Sequence, residues 1–173
     1  MKIRVGFGFD VHRLVENREL WIGGVKIDHP KGLAGHSDAD VLIHAICDAL
    51  LGASGLRDIG FHFPDNDKEY KNINSKILLA RCEALLSGKG WEIGNIDSTI
   101  CAEQPKLNPY IPQMQSVLAQ ILKIDESEIS IKATTTEKLG FTGREEGLSA
   151  YATVLITRKA VSANSLNNGT TIG

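Results

Sequence analysis

The sequence predicts an α+β domain in which helices pack on one face of a mixed sheet. Two observations predict this fold class. Apolar, β-branched stretches alternate with stretches whose apolar residues recur at helical spacing, in the order β-β-α-α-β-α-β-β. In the second half, residues 91–135 read as strand, helix and strand, which fits a parallel crossover unit within the sheet.

The N-terminal part of the chain predicts two strands. Residues 2–9 are apolar and β-branched, and residues 19–27 form a second such stretch, in which Gly23 and Gly24 indicate a bulge or bend. The segment 15–18 between them predicts a turn.

The first helix follows the polar segment HSDAD. Ser37 is predicted as its N-cap, with Asp40 at the third helical position as in a capping box. Apolar residues at helical spacing extend the helix to about Ala53, and Gly55 ends it. Residues 55–72 then form a long loop, and loops of this length in compact domains are commonly lids or binding loops.

The second half of the chain begins with a helix over about 75–87 and a strand over 91–102. The third helix is predicted to begin at Asn108 and Pro109, because proline is tolerated at the first helical position. This helix is predicted to end near Lys123.

The chain is predicted to finish with two strands, at 129–135 and 148–157. After them the composition changes to a stretch rich in Ser, Asn and Gly without periodicity. We therefore expect a single domain over residues 1–158 and a flexible C-terminal tail over residues 159–173.

Charge and hydropathy narrow the classes of partner. The formal net charge is −2, so attraction to nucleic acid or to an acidic membrane surface is not expected. No apolar run approaches the roughly 18 residues needed to cross a bilayer. The first residues carry neither a signal-peptide core nor a transit-peptide pattern, so we expect a cytoplasmic protein. A plastid protein whose transit peptide has been removed is the alternative.

A metal site is predicted from a D-x-H pair at the end of the first strand. Asp10 and His12 point to the same face, because side chains alternate along a strand. Together with His44 on the first helix they supply the ligand set of a catalytic zinc site, which keeps one position open. Asp40 and Asp48, one helical turn either side of His44, could orient its imidazole. The alternative is a turn-capping aspartate beside two ordinary, partly buried histidines.

A phosphate-binding loop is predicted where the segment TTTEK follows a strand and precedes a glycine-rich turn. The hydroxyls and backbone N–H groups of residues 134–136 suit phosphate oxygens. Glu137 could hold Mg²⁺ or Mn²⁺ between two phosphates. Lys138 and Arg144 add positive charge. The alternative is a polar connection between two strands with no ligand.

Two further segments carry weaker predictions. His36 and Ser37 lie at a helix N-terminus, where unpaired N–H groups favour an anion, and a capping role for Ser37 is compatible with this. In the long loop, Asp58, Gly60 and residues 63–65 could hold a sugar hydroxyl and cover a ligand. Ordinary turn chemistry explains those residues equally well.

Taken together, six segments resemble the 2-C-methyl-D-erythritol 2,4-cyclodiphosphate synthase family. The resemblance covers residues 3–157 and rests on these stretches, in this order: GFGFDVHRL, LAGHSDADVLIHAICDALLGA, DIGFHFPD, GNIDSTI, PKLNPYIPQM and IKATTTEKLGFTGREEG. Each segment is modest alone, but their joint occurrence is highly specific. One departure is Asn66, where the family often has threonine, and it puts one minor loop contact in question.

The resemblance implies a function that spacing alone does not. The family converts 4-diphosphocytidyl-2-C-methyl-D-erythritol 2-phosphate into the cyclic diphosphate and releases CMP, a lyase step of non-mevalonate isoprenoid biosynthesis. The resemblance also implies one Zn²⁺ per subunit, a second divalent cation (Mg²⁺ or Mn²⁺), and a homotrimer with active sites between subunits. It leaves open an isoprenoid ligand on the trimer axis, with Arg144 lining that channel instead of the substrate pocket.

The resemblance also implies roles for individual residues of the 1–158 catalytic domain. The metal ligands would be Asp10, His12, His44 and, for the second cation, Glu137. His36 and Thr135 would stabilise the transition state, and Ser37 would contact substrate. The ribose and erythritol contacts would be Asp58, Ile59, Gly60, Phe63, Pro64, Asp65, Asn66 and Asp67. The cytidine pocket would be lined by Ala102, Glu103, Gln104, Pro105, Lys106, Leu107 and Asn108, together with Thr134 and Thr136. Phe141 and Arg144 would complete the ligand contacts.

Two competing functions use the same residues. A two-histidine, one-carboxylate Fe(II) oxygenase would use the same ligand set, but it leaves the Thr-Glu-Lys loop without a role. A non-catalytic trimeric module would bind a nucleotide or an isoprenoid between subunits without turnover.

Overall fold

A computed structural model describes residues 2–64, 66–67, 70 and 72–159. Seven strands and five α-helices lie within this part of the chain. The strands are β1 (Ile3–Glu16), β2 (Leu20–Ile22), β3 (Val25–Ile27), β4 (Lys31–Leu33), β5 (Trp91–Cys101), β6 (Ile129–Thr134) and β7 (Gly147–Arg158). The α-helices are α1 (Val41–Ser54), α2 (Ile59–His62), α3 (Ser75–Gly88), α4 (Ile111–Leu122) and α5 (Gly140–Gly143). The predicted contact Asp65 lies outside the described residues, as does the predicted tail apart from Lys159.

The main sheet is mixed, as predicted. Its five strands lie in the order β4-β1-β7-β5-β6, and β2 pairs with β3 in a separate two-stranded sheet. β5 and β6 are parallel, whereas β1 pairs antiparallel with both β4 and β7. The parallel pair is connected through α4, which confirms the predicted crossover unit. The chain is therefore an α+β fold.

The N-terminal strand prediction was too short. β1 does not end near residue 9 but continues to Glu16, because it pairs with β7 along most of its length and then with β4. β4 was not predicted, since three residues carry too little pattern. Gly23 and Gly24 form a hairpin turn between β2 and β3 rather than a bulge, and both have positive φ, at 59° and 74°.

The start of α1 also differs from the prediction. Asp40, not Ser37, is the N-cap: its side chain accepts the N–H of Ile43. Ala39, with φ of 57°, holds the chain out of the helix until that point. Asp40 is fully buried and also accepts the N–H groups of Gly23 and Gly24, so the cap ties the β2–β3 hairpin to the helix. The predicted end at Gly55 is confirmed by its left-handed conformation.

Helix α1 lies very close to β1, and two glycines of β1 make this possible. A β-carbon at Gly6 would lie 1.9 Å from the carbonyl oxygen of Ala49, and one at Gly8 would lie 1.9 Å from that of Ala45. The same face of β1 continues to Asp10 and His12, so the helix is held directly against the predicted ligands.

The opposite face of β1 is apolar and exposed in the single chain. The exposed fraction is 64% for both Val5 and Phe7, and 43% for Phe9. Tyr151 of β7 lies beside them, with its ring centroid 5.0 Å from that of Phe9. Large apolar side chains therefore stand on the face of the sheet that α1 does not cover.

The second half of the chain follows the prediction closely. Helix α3 begins after the N-cap Asn74, and α4 is preceded by a 3₁₀ turn over Asn108–Tyr110 and ends at Lys123 in the left-handed conformation. The long loop after α1 contains the short helix α2. Within the described residues, none of the helices is long and apolar enough to span a bilayer.

Candidate functional site

Three predicted ligands meet in the structure. Asp10 Oδ2, His12 Nε2 and His44 Nδ1 form a triangle with sides of 2.9, 3.0 and 3.1 Å. Two ligands at metal bonds of about 2.0–2.1 Å in a tetrahedral zinc site are about 3.3 Å apart. The triangle is therefore close to one face of such a site, and the donors, one carboxylate and two imidazoles, suit a divalent transition metal. It is the one cluster of this kind among the described residues.

The triangle arises from two packed elements. Asp10 and His12 are two residues apart on β1, so their side chains leave the same face. His44 lies in the first turn of α1, which the glycines of β1 hold against that strand. The three side chains are partly accessible, with exposed fractions of 23%, 19% and 12% for Asp10, His12 and His44. A ligand can therefore reach the open side of the triangle.

The second nitrogen of each histidine has its own partner. His12 Nδ1 lies 2.9 Å from the carbonyl oxygen of Ala34, which can only accept, so Nε2 is left free for a metal. His44 Nε2 lies 2.9 Å from Ser75 Oγ and 3.2 Å from Ser37 Oγ. The partners predicted for His44 were wrong. Asp40 caps α1, and Asp48 accepts the N–H of Ile59 at 2.8 Å, so neither carboxylate orients the imidazole.

The electrostatics of the triangle favour a cation. Burial acts to raise the pKa of Asp10, but hydrogen bonds and charges from His12 and His44 outweigh it and hold that pKa well below its ordinary value. Burial likewise acts to lower the pKa of His44, but the hydrogen bond with Asp10 and its charge raise it. The Asp10 carboxylate therefore lies ionised between two imidazole nitrogens, a position where a metal ion can bind.

A cavity of about 270 Å³ opens beside the triangle. Of the predicted contacts, His36, Ser37, Ile59, Gly60 and Phe63 line it with the three ligands. The sequence did not predict three further lining residues, Tyr70, Ile73 and Leu78. Their apolar character resembles that of any helix or loop residue packed on a core, so no local signal distinguishes them. Asp48 also lines the cavity, whereas it was predicted to orient His44.

A second cavity, of about 170 Å³, lies at the ends of β5 and β6. It is lined by Ala102, Pro105, Lys106, Leu107, Asn108, Ala133, Thr134 and Thr135. Most of the predicted cytidine contacts are therefore brought together, because the parallel strands end at the same edge of the sheet. Among the described residues, the two cavities share no lining residue.

Glu103 does not line the second cavity but holds the neighbouring loop. Its exposed fraction is 5%, and its Oε1 accepts the N–H groups of Thr136 and Lys138, each at 3.1 Å. These bonds lower the pKa of Glu103, the Lys138 N–H most strongly, against the opposing effect of burial. Glu137 and Lys138 have positive φ, at 53° and 65°, so this carboxylate stabilises a backbone shape that side chains disfavour.

The other predicted contacts lie outside both cavities. Asp58 caps α2 by accepting the N–H of Phe61, which fits the alternative of turn chemistry. Glu137 accepts a hydrogen bond from the Thr135 hydroxyl at 2.7 Å. Arg144 is paired with Glu146 through two bonds, of 2.9 and 3.1 Å. The remaining described members of this group are Pro64, Asn66, Asp67, Gln104, Thr136 and Phe141.

Comparison with known sequences gives consistent relatives. The YgbB family matches residues 3–157. A protein of Bacteroides fragilis named 2-C-methyl-D-erythritol 2,4-cyclodiphosphate synthase is 72% identical over 158 residues, covering 91% of this chain and 99% of the relative. A protein of Parabacteroides distasonis with the same name is 70% identical, covering 91% of this chain and 98% of the relative.

Solved structures agree with the sequence relatives. The bifunctional IspDF of Campylobacter jejuni superimposes with a TM-score of 0.88 at 47% identity, covering 91% of this chain and 42% of that one. A CDP complex of IspF from Plasmodium falciparum superimposes with a TM-score of 0.80 at 37% identity, covering 91% of this chain and 97% of that one.

Proposed function

This chain belongs to the YgbB family, and from that premise we propose that it is the enzyme converting 4-diphosphocytidyl-2-C-methyl-D-erythritol 2-phosphate into 2-C-methyl-D-erythritol 2,4-cyclodiphosphate and CMP. The reaction belongs to non-mevalonate isoprenoid biosynthesis. The observation that carries the proposal is the triangle of Asp10, His12 and His44 beside a cavity, in a chain 72% identical to a named synthase.

We assign Zn²⁺ to the triangle. The two imidazoles and one carboxylate, with a fourth position open toward the cavity, fit a catalytic zinc site. A bound zinc ion supplies Lewis acidity to a phosphate oxygen. His12 keeps Nε2 available through its bond to Ala34, and Asp10 supplies the negative charge.

The chemistry needs no covalent protein intermediate. An oxygen of the 2-phosphate forms a bond to the β-phosphorus, while the bond from that phosphorus to the α,β-bridging oxygen breaks and CMP leaves with the electron pair. The protein has to fold a flexible polyanion so that these two oxygens are in line. His36 lines the same cavity as the ligands, so it can donate a hydrogen bond to charge that develops there, and we assign the same task to Thr135.

We assign the second cation, Mg²⁺ or Mn²⁺, to Glu137. Mg²⁺ in phosphate-transfer sites is commonly held by one or two carboxylates, with substrate phosphates and water completing the shell. Glu137 is a single exposed carboxylate on a loop whose shape Glu103 holds, which supports a site completed by the diphosphate.

We propose that the enzyme is a homotrimer whose active sites combine the two cavities of neighbouring chains. Cytidine would bind in the second cavity, against Ala102, Pro105 and Asn108, and the diphosphate would extend to the metal triangle of the next subunit. Two observations support this. The cavities are separate within one chain, and the face of β1 that carries Val5, Phe7 and Phe9 is exposed and apolar, which is typical of an interface.

Three expectations stay predictions. They are a cytoplasmic location, with a plastid as the alternative, an isoprenoid bound on the trimer axis, and substrate contacts from Asp58 and residues 64–67 and 141. Arg144, paired with Glu146, is available to substrate only if that pair opens.

A phosphorus NMR time course with the diphosphocytidyl substrate tests the proposal. We expect stoichiometric appearance of CMP and the cyclic diphosphate, dependent on added divalent cation. Binding of the nucleotide without turnover would favour a non-catalytic module. Iron in the purified protein, with oxygen consumption, would favour the oxygenase.

A further inference from the structure

The imidazole of His44 is connected to a carboxylate through a buried serine. Ser75, at the first position of α3, is fully buried, and its Oγ lies 2.9 Å from His44 Nε2. The same hydroxyl is hydrogen-bonded to Oδ1 of Asp38. A chain of contacts therefore runs from Asp38 through Ser75 to the nitrogen of His44 that faces away from the triangle.

The direction of these hydrogen bonds follows from what each group can do. An ionised carboxylate only accepts, and within the described part of the chain three donors face Asp38: the hydroxyl and the N–H of Ser75, and the N–H of Asp40. Ser75 must therefore donate its one hydroxyl proton to Asp38. Its oxygen is then left as an acceptor for His44, which requires the proton of the neutral imidazole to be on Nε2.

We propose that Asp38 and Ser75 are positioning residues that fix the tautomer of His44, so that the lone pair of Nδ1 points into the metal triangle. The inference rests on the metal site proposed above. It adds two residues that touch neither metal nor substrate, and it explains why a buried hydroxyl and a carboxylate lie behind the ligand.

Ser37 contributes less to this arrangement. Its Oγ is farther from His44 Nε2, at 3.2 Å, and already accepts the N–H of Ala39 at 3.0 Å. Among the described residues no carboxylate accepts from the Ser37 hydroxyl, so nothing there forces its proton to point away from the imidazole. A hydroxyl free to rotate can serve either tautomer, whereas the Ser75 hydroxyl, held by Asp38, serves one.

The link exists because two distant segments pack together. The loop before α1 docks on the start of α3: Asp38 donates its N–H to the carbonyl of Ile73 at 3.2 Å, and its Oδ2 accepts the N–H of Ser75 at 2.9 Å. Asp38 therefore also satisfies a donor at the N-terminus of α3. Substitutions must be chosen to separate this structural task from the effect on His44.

Asp38→Asn makes that separation. The amide oxygen faces the Ser75 N–H, because that 2.9 Å bond is shorter than the 3.3 Å bond from the Asp40 N–H to the other oxygen. The NH₂ group takes the place of that other oxygen, loses the weak Asp40 bond, and donates to Ser75 Oγ. The Ser75 hydroxyl is then free to donate its proton to His44 Nε2. This favours the tautomer with the proton on Nδ1, which leaves Nδ1 no lone pair for the metal. We expect zinc affinity to fall by about 10- to 100-fold, the usual cost of losing an outer-shell partner. Asp97→Asn, at the exposed pair with Lys132, is the matched control and should leave zinc affinity unchanged.

Ser75→Ala removes the hydrogen bond to His44 Nε2 but does not reverse its direction. We expect a smaller loss, of about tenfold, because the imidazole keeps Ser37 and can still adopt the correct tautomer. Ser54→Ala is the control, since Ser54 is also a buried serine but bonds the carbonyl of Leu50 in its own helix. Zinc affinity is measured by competition with a chromogenic chelator, and the thermal midpoint of the metal-free protein reports folding.

NMR on the unmodified chain provides a test that does not depend on folding of the variants. With a spin-active cadmium isotope in the triangle and labelled histidine, we expect coupling to His44 Nδ1 and a protonated Nε2. Coupling to Nε2 would overturn the inference. So would zinc affinities of Asp38→Asn and Ser75→Ala that stay within about twofold of the unmodified chain, because losing an outer-shell partner usually costs much more. If the unmodified folded chain binds neither cadmium nor zinc, the metal site itself is refuted instead.

Discussion

Gly8 of β1 lies against Ala45 of α1 so closely that a β-carbon at Gly8 would be 1.9 Å from the Ala45 carbonyl oxygen. The neighbour is backbone, which cannot rotate away as a side chain can. His44 immediately precedes Ala45, and Asp10 lies two residues after Gly8 on the same face of β1. The contact between a glycine and a helix backbone therefore sets the distance between the carboxylate and the imidazole.

Gly8→Ala is expected to displace α1 from β1. Overpacking of this kind commonly costs about 1–3 kcal/mol of the free energy of unfolding, and the shift of α1 should weaken zinc binding as well. Urea denaturation and a zinc titration check the two effects. Gly52→Ala is the control, because a β-carbon at Gly52 meets nothing within 4 Å. As a helical position it should gain about 0.5–1 kcal/mol. Equal stability of both variants would contradict the close-packing argument.

His44→Ala is expected to lose bound zinc and most of its turnover. The triangle then keeps only two donors, which is too few for a tight site. Metal content by mass spectrometry and the phosphorus NMR assay are the measurements. His29→Ala provides the comparison, because His29 lies outside the triangle and should keep its zinc. Full activity of rigorously metal-depleted His44→Ala would refute the ligand assignment.

Glu137→Gln is expected to raise the concentration of Mg²⁺ or Mn²⁺ needed for half-maximal rate while zinc stays bound. The amide keeps the shape of the side chain but is a much weaker ligand for hard cations. Titration of the rate with each cation, with zinc content measured in parallel, provides the test. An unchanged titration would remove Glu137 from the second cation site.

Glu103→Gln is expected to lower stability at neutral pH and to lose that difference in acid. The folded-state pKa of Glu103 is below its ordinary value of 4.5, chiefly through the N–H of Lys138. A carboxylate whose pKa is lower in the folded state stabilises the fold at any pH above its unfolded-state pKa. This contribution disappears as the pH falls through the folded-state pKa. Urea midpoints of the variant and the unmodified chain should therefore converge below about pH 4.5. A constant difference across the whole pH range would argue against a charged Glu103.

Phe7→Glu is expected to break the trimer. Phe7 is 64% exposed on the apolar face of β1, and a charge buried in an interface is costly unless it is paired. Sedimentation velocity should give about three times the chain mass of 18.8 kDa for the unmodified protein and less for the variant. Gln113→Glu, at an exposed position of α4, should leave the mass unchanged. A monomeric unmodified protein at assay concentration would end the intersubunit proposal.

Several features could be predicted from the sequence because their causes are local. Gly55 marks the end of α1, and Pro109 marks the 3₁₀ turn that leads into α4, through backbone preferences that neighbours hardly alter. The pair Asp10 and His12 converges because alternation along a strand is a local rule. The crossover from β5 to β6 follows from the handedness and length of the connection.

Other features could not be predicted because distant segments decide them. Asp40 became the N-cap instead of Ser37 since it also accepts two N–H groups of the β2–β3 hairpin. β1 extends to Glu16 because β7 and β4 provide partners along its whole length. Its apolar residues look like core in the sequence, yet they lie on the exposed face, while glycines occupy the helix-facing side.

The sequence by itself determined the fold class, most of the helices and strands, and the three residues that form the candidate metal triangle. Those depend on periodicity, backbone preference and the chemistry of side chains, which each segment carries alone. Only the tertiary structure decided which atoms of Asp10, His12 and His44 meet, that Ser75 and not Asp40 or Asp48 stands behind His44, and that the predicted contacts fall in two cavities. These depend on distances of a few ångströms between segments far apart in the chain, and such distances are fixed by packing.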